Sequence, residues 1–323
     1  LASLPDAELA AVCELDARRV AEIARQYPNV SVTQSFDDVV GDPSIDGLIL
    51  ATPASTHADM AIRALDAGKH VLVEKPLSLT VEEGARIVAE AERCGRVLLV
   101  GHTFEYNAAV RKVRELIAAG DIGELYYLYS QRVNLGRVRN DCNAMWSLAP
   151  HDVSIANFLI GEPPIWASAT GHRFLENDRE DVVFLNIGYP GGRIAHVHVS
   201  WLDPNKIRRT TVVGSEKMIV YDELSANAKV QVFDKGVSKV PLQGSDYAAP
   251  PFGEFQFQTR TGDIWIPNVD FAEPLRAEIA HFVDCINGRA EPLTDGHNGL
   301  AVVRVLAAAQ ESMENGGTPV DVR

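Results

Sequence analysis

The chain has 323 residues and a mass of 35.2 kDa, a size typical of a two-domain protein. Hydrophobic residues make up 46% and charged residues 23%, which excludes a disordered, collagen-like or coiled-coil chain. The net charge of −14 argues against nucleic acid or an anionic membrane as a partner.

Four cysteines are scattered along the chain without a C-x-x-C pair. This excludes a disulfide framework and a zinc ribbon, and reduced thiols favour the cytoplasm. The printed sequence has no apolar stretch of the ~18–20 residues that a membrane span needs. It also has no secretory leader at its first residues. We therefore expect no membrane partner.

Strand and helix patterns alternate over the first hundred residues. Short apolar runs of the kind buried in parallel sheets end at Cys13, Ala51, Val73 and Val100. Helical spacing lies between these runs, at 17–26, 56–67 and 81–94. The alternation predicts a parallel sheet with helices on both faces, and we assign residues 1–102 to this α/β domain.

The pattern changes after residue 102. Helical segments at 107–119 and 150–160 flank an alternating strand at 126–133, and repeated strand patterns follow from 166 to 234. They predict an α+β domain with a mostly antiparallel open sheet over residues 103–323. A stretch rich in Gly, Pro and aromatic residues predicts a long surface loop at 243–268, and two closing helices are expected at 273–286 and 299–314.

Polar or ionisable residues follow three of the apolar strands, where a parallel sheet binds its ligands. They are Thr52, Pro53 and His57, then Glu74 and Lys75, then His102. Lys75 lies in Glu-Lys-Pro, where the proline favours a tight turn, with a cis bond as one form. A partly desolvated lysine there can act on a substrate hydroxyl. The alternative is a surface lysine before a turn, and His102 could simply pack.

Glu14 follows the first apolar run, where a dinucleotide-binding sheet places the carboxylate that binds the adenosine ribose. The alternative is a turn residue. No G-x-G-x-x-G fingerprint occurs in the printed residues. We expect a first strand and a glycine turn ahead of Leu1, so that residues 1–323 are an N-terminally truncated sheet. By themselves they should bind dinucleotide weakly.

His151 and Asp152 follow Pro150, so the spacing predicts that they begin a helix. His151 suits general-base chemistry near neutral pH, and the alternative is a capping or core histidine. His196 and His198 share one strand face, but no further ligand has convincing spacing. We therefore predict no metal site.

Two segments depart from the acidic balance of the chain, QRVNLGRVRND and DPNKIRRT. Their guanidinium groups suit phosphate or carboxylate, so Arg137, Lys206 and Arg208 are candidates for binding an anionic substrate. Solvated basic loops are the alternative.

The stretches ATPASTHADMAIRALDAGKHVLVEKPLSLT and GDIGELYYL resemble those of the Gfo/Idh/MocA oxidoreductase family. Within it, the segments around residues 130–155 and 196–215 look like the branch that acts at C3 of UDP-N-acetylglucosaminuronic acid. The resemblance implies an N-terminal Rossmann domain binding NAD, with NADP as the alternative. It also implies a C-terminal domain that supports the substrate and often a subunit interface.

The resemblance further implies catalytic roles for Lys75 and His151. Many members have Asp four residues before that histidine, where this chain has Ser147. A serine can form hydrogen bonds but carries no charge at neutral pH, so an Asp–His relay is not supported here. Asn143, Trp146 and Ser147 are expected to contact the substrate together with the basic segments.

We therefore expect an NAD(P)-dependent sugar dehydrogenase, acting on a small sugar or nucleotide sugar and forming a homodimer or homotetramer. The truncated chain itself is expected to be less active or inactive. One alternative is a non-catalytic sensor or partner subunit that binds NAD and sugar. Another is a family member that uses NAD transiently for hydrolysis or elimination.

Overall fold

The computed structural model describes residues 1–2, 4–136, 138–139, 141–175, 178–241, 255–270 and 272–323. They form two compact units. Unit 1 contains Leu1–Tyr106 and Ala272–Ala307, and unit 2 contains Asn107–Phe271 and Ala308–Arg323.

This division differs from the sequence-based boundary at residues 102 and 103, which leaves 272–307 in the second domain. The segment belongs to unit 1 because its helix α7 (Pro274–Ile286) buries Phe282 and Cys285 in a cluster with Leu72 and Leu99. Burial of apolar side chains, not position along the chain, decides the division.

The strands of unit 1 are all parallel and form two sheets. β1 (Ala11–Cys13) pairs with β2 (Ser31–Thr33). β3 (Gly47–Leu50), β4 (His70–Val73) and β5 (Leu98–Val100) form the second sheet in that order. Their apolar runs are those read from the sequence, and the predicted parallel architecture is confirmed.

Unit 1 also contains helices, and several of them begin at a polar N-cap residue. They are α1 (Ala17–Gln26), α2 (Phe36–Gly41), α3 (His57–Asp66), α4 (Val81–Cys94), α7, and α8 (Gly296–Glu314), which continues into unit 2. The side chains of Asp16, Ser35 and Thr80 each accept a hydrogen bond from a first-turn amide of α1, α2 and α4.

Unit 2 is built on a nine-stranded sheet in the order β13-β12-β11-β10-β6-β9-β8-β7-β14. The strands are β6 (Leu125–Leu135), β7 (Trp166–His172), β8 (Val182–Gly188), β9 (Ile194–Ser200), β10 (Leu202–Gly214), β11 (Met218–Asp222), β12 (Val230–Pro241), β13 (Phe255–Trp265) and β14 (Val320–Asp321). β6 and β9 are the one parallel pair, and the other neighbours are antiparallel. This confirms the predicted open sheet.

Helices α5 (Ala108–Ala118) and α6 (Ala144–Ile160) belong to unit 2. The prediction that α6 begins at Pro150 is wrong, because the helix starts six residues earlier. The Asn143 side chain accepts a hydrogen bond from the Trp146 amide and caps it there. Pro150 therefore lies inside the helix, where its missing N–H leaves the Trp146 carbonyl without its usual helical donor.

The predicted loop at 243–268 is also partly wrong. Residues 255–265 form β13, which pairs antiparallel with β12. Residues 242–254 lie outside the described part of the chain. Among the described residues, none of the helices combines the length and the apolar character needed to cross a bilayer.

Candidate functional site

The carboxyl ends of β3, β4 and β5 lie side by side in unit 1. Parallel pairing sets Leu50 opposite Val73, and Val73 opposite Val100. The three following segments therefore leave the sheet at one edge, which is where α/β sheets bind ligands. This edge brings together six of the sequence-predicted residues, Thr52, Pro53, His57, Glu74, Lys75 and His102.

His57 ties two of these segments together. Its ring is buried, with Nδ1 2.8 Å from the Pro76 carbonyl oxygen and Nε2 2.9 Å from that of Thr52. Both ring nitrogens thus contact backbone within the protein. His57 therefore fixes the shape of this edge.

Glu74 and Lys75 are half-buried at the end of β4, and the Lys75–Pro76 bond is cis. The Lys75 amide donates to Glu74 Oε2 at 3.3 Å. A Cβ on Gly101 would lie 3.1 Å from the same oxygen and 3.2 Å from the Glu74 Cα. Glycine at position 101 therefore lets the Glu74 carboxylate lie close against the end of β5.

His102 lies beneath this edge and is almost fully buried. Neither of its ring nitrogens has a hydrogen-bond partner among the described residues. Burial, and then the charge of Lys75, lower the pKa of His102 to about 3. The ring is therefore neutral at physiological pH, and it can offer one donor and one acceptor to a ligand.

Glu278 was missed by sequence reasoning. It lies on α7 in the buried interior of unit 1, and its Oε2 accepts a hydrogen bond of 2.9 Å from the Thr103 hydroxyl. Burial, with smaller contributions from Glu74 and Glu105, raises the pKa of Glu278 to about 8. The available signal was a carboxyl in helical spacing with the buried Phe282 and Cys285.

Glu14 directly follows β1 in the other sheet of unit 1. Its carboxylate accepts from the Asp16 amide at 3.0 Å and pairs with Arg19 at 3.4 Å. The Asp16 amide is the main cause of a lowered Glu14 pKa. An ionised carboxylate at this strand end fits the ribose hydroxyls of a dinucleotide.

In unit 2, α6 carries several of the candidate substrate residues. Ser147 and His151 are half-buried and one helical turn apart, so they share a face. Trp146 is half-buried beside them. Asn143 is buried and donates to Glu180 at 2.7 Å and to Gln310 at 3.1 Å, which anchors the start of the helix.

The basic candidates of unit 2 differ in their surroundings. Arg208 donates to Glu223 at 2.7 Å, whereas Lys206 is exposed. Arg137 lies outside the described residues. Arg132, in the same basic segment as Arg137, is buried against Asp152 on α6.

Potential metal ligands are sparse in the described part of the chain, where Asp66, Glu90 and Cys94 form the one group of three. Arg93 donates to both carboxylates at 2.6 Å, so its guanidinium already balances their charge. His196 and His198 lie beside Phe184 on the sheet of unit 2, with ring centroids 6.5 and 4.5 Å from its ring.

Comparison with known proteins identifies both parts of the chain. Residues 1–102 match the model described as "Oxidoreductase family, NAD-binding Rossmann fold", and residues 110–220 match the GFO/IDH/MocA C-terminal domain. The scyllo-inositol 2-dehydrogenase (NAD(+)) of Bacillus subtilis is 27% identical, over 97% of this chain and 89% of its own. The UDP-N-acetylglucosamine 3-dehydrogenase of Acidithiobacillus ferrooxidans is 28% identical, over 94% and 88%.

The fold is also found in a solved structure. The WlbA dehydrogenase of Bordetella pertussis, in complex with NADH and UDP-GlcNAcA, has a TM-score of 0.77 at 21% identity, over 98% of this chain and 91% of its own. The parallel strands of unit 1 and the two matched domains agree with the family and fold expected from the sequence. The chain belongs to the Gfo/Idh/MocA family of NAD-binding oxidoreductases.

Proposed function

We propose that the protein reversibly oxidises a hydroxyl group of a sugar or polyol, with a nicotinamide dinucleotide as the acceptor. The favoured substrate is a UDP-linked N-acetylated hexuronic acid or a related sugar, oxidised at C3. The observation that carries the proposal is the edge of unit 1, where Lys75 follows β4 between the segments that follow β3 and β5.

His151 takes the hydroxyl proton in this proposal, and Lys75 orients the hydroxyl oxygen and stabilises its developing negative charge. The nicotinamide, when bound, exchanges a hydride with the carbinol carbon. Glu14 binds the ribose hydroxyls and favours NAD over NADP, because a carboxylate repels a 2′-phosphate. Thr52, Pro53, Glu74 and His102 line the cofactor site, whose shape His57 maintains.

Asn143, Trp146, Arg137, Ser147, Lys206 and Arg208 are assigned to the substrate. Ser147 shares a helix face with His151, which supports a hydrogen bond to the substrate near the base. Among the basic residues, Lys206 is exposed while Arg208 pairs with Glu223. An anionic substrate group must therefore compete with Glu223 for Arg208.

We place a second copy of the chain on the exposed face of the unit 2 sheet, and the enzyme in the cytoplasm. That face presents Tyr127, Tyr129, Phe184 and Ile194, which are 37–45% exposed. An apolar face on a chain of net charge −14 suits a partner of the same charge, because repulsion is smallest there. The four free cysteines agree with a reducing compartment.

A substrate screen tests the proposal. The protein is incubated with NAD or NADP and with UDP-N-acetylhexosamines, their uronic acids, inositols or free aldoses, while the absorbance of the reduced cofactor is recorded. Oxidation of a UDP-sugar supports the full proposal, and oxidation of inositols alone retains the reaction but changes the substrate. Tight NADH binding without oxidation favours the sensor. Product formed with unchanged cofactor favours hydrolysis or elimination.

A further inference from the structure

A buried ion pair joins α6 to the sheet of unit 2. Arg132 on β6 and Asp152 on α6 are 4% and 2% exposed. The Arg132 Nε donates to Asp152 Oδ2 at 2.7 Å and its Nη2 donates to Oδ1 at 3.5 Å. The Ser130 hydroxyl, also on β6, donates to Oδ1. Two residues of one strand thus hold the carboxylate of the helix.

Two further charged residues, Glu223 and Arg208, extend this ion pair in a chain of alternating charges. Arg132 Nη1 donates to Glu223 Oε2 at 3.3 Å, and Arg208 Nη1 donates to Glu223 Oε1 at 2.7 Å. The buried Tyr221 faces the same group from β11. Burial opposes the charge of Arg132, but Asp152 and then Glu223 raise its pKa. The guanidinium of Arg132 is therefore ionised.

Asp152 is the neighbour of His151, and we propose that the Arg132–Asp152 pair is a positioning device for that histidine. This inference rests on the proposed role of His151 as the base. The pair fixes the rotation of α6 about its axis, which sets the direction in which His151 leaves the helix. Its two charges also balance each other beside the imidazole.

Pro150 explains why α6 needs an additional fixed contact close to His151. Because Pro150 has no N–H, the hydrogen bond to the Trp146 carbonyl is missing one residue before His151. Asp152 restores a fixed connection two residues later. Apolar residues of similar volume often stabilise a fold as well as a buried ion pair does. Stability alone therefore does not explain why this position holds an ion pair.

An NMR titration of His151 tests the electrostatic part without an activity assay. The protein is labelled with ¹⁵N-histidine, and the His151 resonances are assigned by their loss in His151→Asn. Asp152→Asn gives the remaining group of Arg132, Glu223 and Arg208 a net positive charge, so we expect the pKa of His151 to fall by about half a unit or more. Arg132→Gln gives the remaining group a net negative charge, so the pKa of His151 should rise. Equal pKa values of His151 in the wild type and in both variants would overturn the electrostatic part of the inference.

Kinetics test the positioning part. Removing one partner of a buried pair can prevent folding, so the key variant is the double substitution Asp152→Leu/Arg132→Met, which leaves no unpaired charge. We expect a thermal midpoint within a few degrees of the wild type, a kcat at least tenfold lower and an unchanged KM for the cofactor. Ser130→Ala keeps both charges and should lower kcat by a few fold.

The outcomes separate this inference from the proposed function. Wild-type kcat in the double variant and in Ser130→Ala, together with an inactive His151→Asn, refutes the positioning role alone. Full turnover by His151→Asn instead refutes the assignment of the base. If the double variant and Ser130→Ala each lose kcat and thermal stability in parallel, the pair is merely structural.

Discussion

The Thr103 hydroxyl donates a hydrogen bond of 2.9 Å to Glu278 Oε2 across 175 residues of the chain. This bond ties the segment after β5, which carries His102, to α7. Glu278 is fully buried and lies near the carboxyls of Glu74 and Glu105. Burial, with smaller contributions from these two neighbours, keeps Glu278 protonated at neutral pH.

Replacing Glu278 by glutamine should make unit 1 less sensitive to alkaline pH. Its pKa is raised to about 8 from 4.5, so the folded state keeps a proton that the unfolded state has lost. The stabilisation is full below pH 4.5 and is lost at up to about 1.4 kcal/mol per pH unit as the pH approaches 8. The free energy of unfolding of Glu278→Gln, compared with that of the wild type, should therefore increase as the pH rises from 5 to 8.5.

Urea unfolding at several pH values measures this effect. The exposed Glu291, also in unit 1, provides the matched control, because Glu291→Gln makes the same chemical change outside the buried interior. Parallel pH curves for the wild type and Glu278→Gln would contradict a protonated Glu278.

His102 should destabilise unit 1 on the acidic side. Burial and the Lys75 charge lower its pKa from 6.5 to about 3. Between these values the unfolded state binds a proton that the folded state does not, so stability is full above pH 6.5 and falls as the pH decreases toward 3. We expect the thermal unfolding midpoint of His102→Met to fall less steeply with decreasing pH than that of the wild type. His172→Gln, which replaces an exposed histidine, is the control and should keep the wild-type dependence. An unchanged dependence in His102→Met would exclude this origin.

Much of the unit 1 edge could be predicted because its signals are local. Apolar runs followed by Thr52, Glu74 and His102 mark strand ends within a few residues. Glu278 could not be placed, because its contact with Thr103 depends on how α7 packs, and its local pattern is only a carboxyl on an apolar helix face.

Two errors in unit 2 have the same kind of cause. The Pro150 rule for helix starts was overridden by the Asn143 cap, which lies further from the proline than a first-turn pattern extends. In β13, the polar–apolar alternation of 255–258 was present in the sequence. The Gly, Pro and aromatic composition of its surroundings outweighed it.

Lys75→Met and His151→Asn should each lower kcat by about 10²–10⁴, the usual effect of losing an acid–base group. The double variant should be little worse than the poorer single one, because we propose that both groups act on the same hydroxyl. NADH affinity, measured by calorimetry, should remain near normal in His151→Asn. The control is Lys112→Met, at a half-buried lysine of unit 2 whose side chain pairs with Glu115. Turnover near the wild-type rate in either single variant would refute its role.

Phe184 offers the sharpest test of the proposal that a second copy of the chain binds the unit 2 sheet. Its ring stacks beside His196 and His198, whose pKa values are both lowered by partial burial. Covering this face with another chain buries the two rings further and strengthens the preference for their neutral form. The assembly should therefore be stable near pH 7.5 and should weaken at acidic pH, as both rings gain charge.

Sedimentation velocity at pH 7.5 and 5.5 measures the mass of the assembly. Phe184→Asp should give a monomer at both pH values, because it places a charge in the apolar face. Leu15→Asp, at an exposed apolar position of unit 1, should behave as the wild type. Replacing both His196 and His198 by glutamine should remove the dissociation at pH 5.5. A wild-type chain that is monomeric at pH 7.5, or an oligomer that survives Phe184→Asp, would place the subunit contact elsewhere.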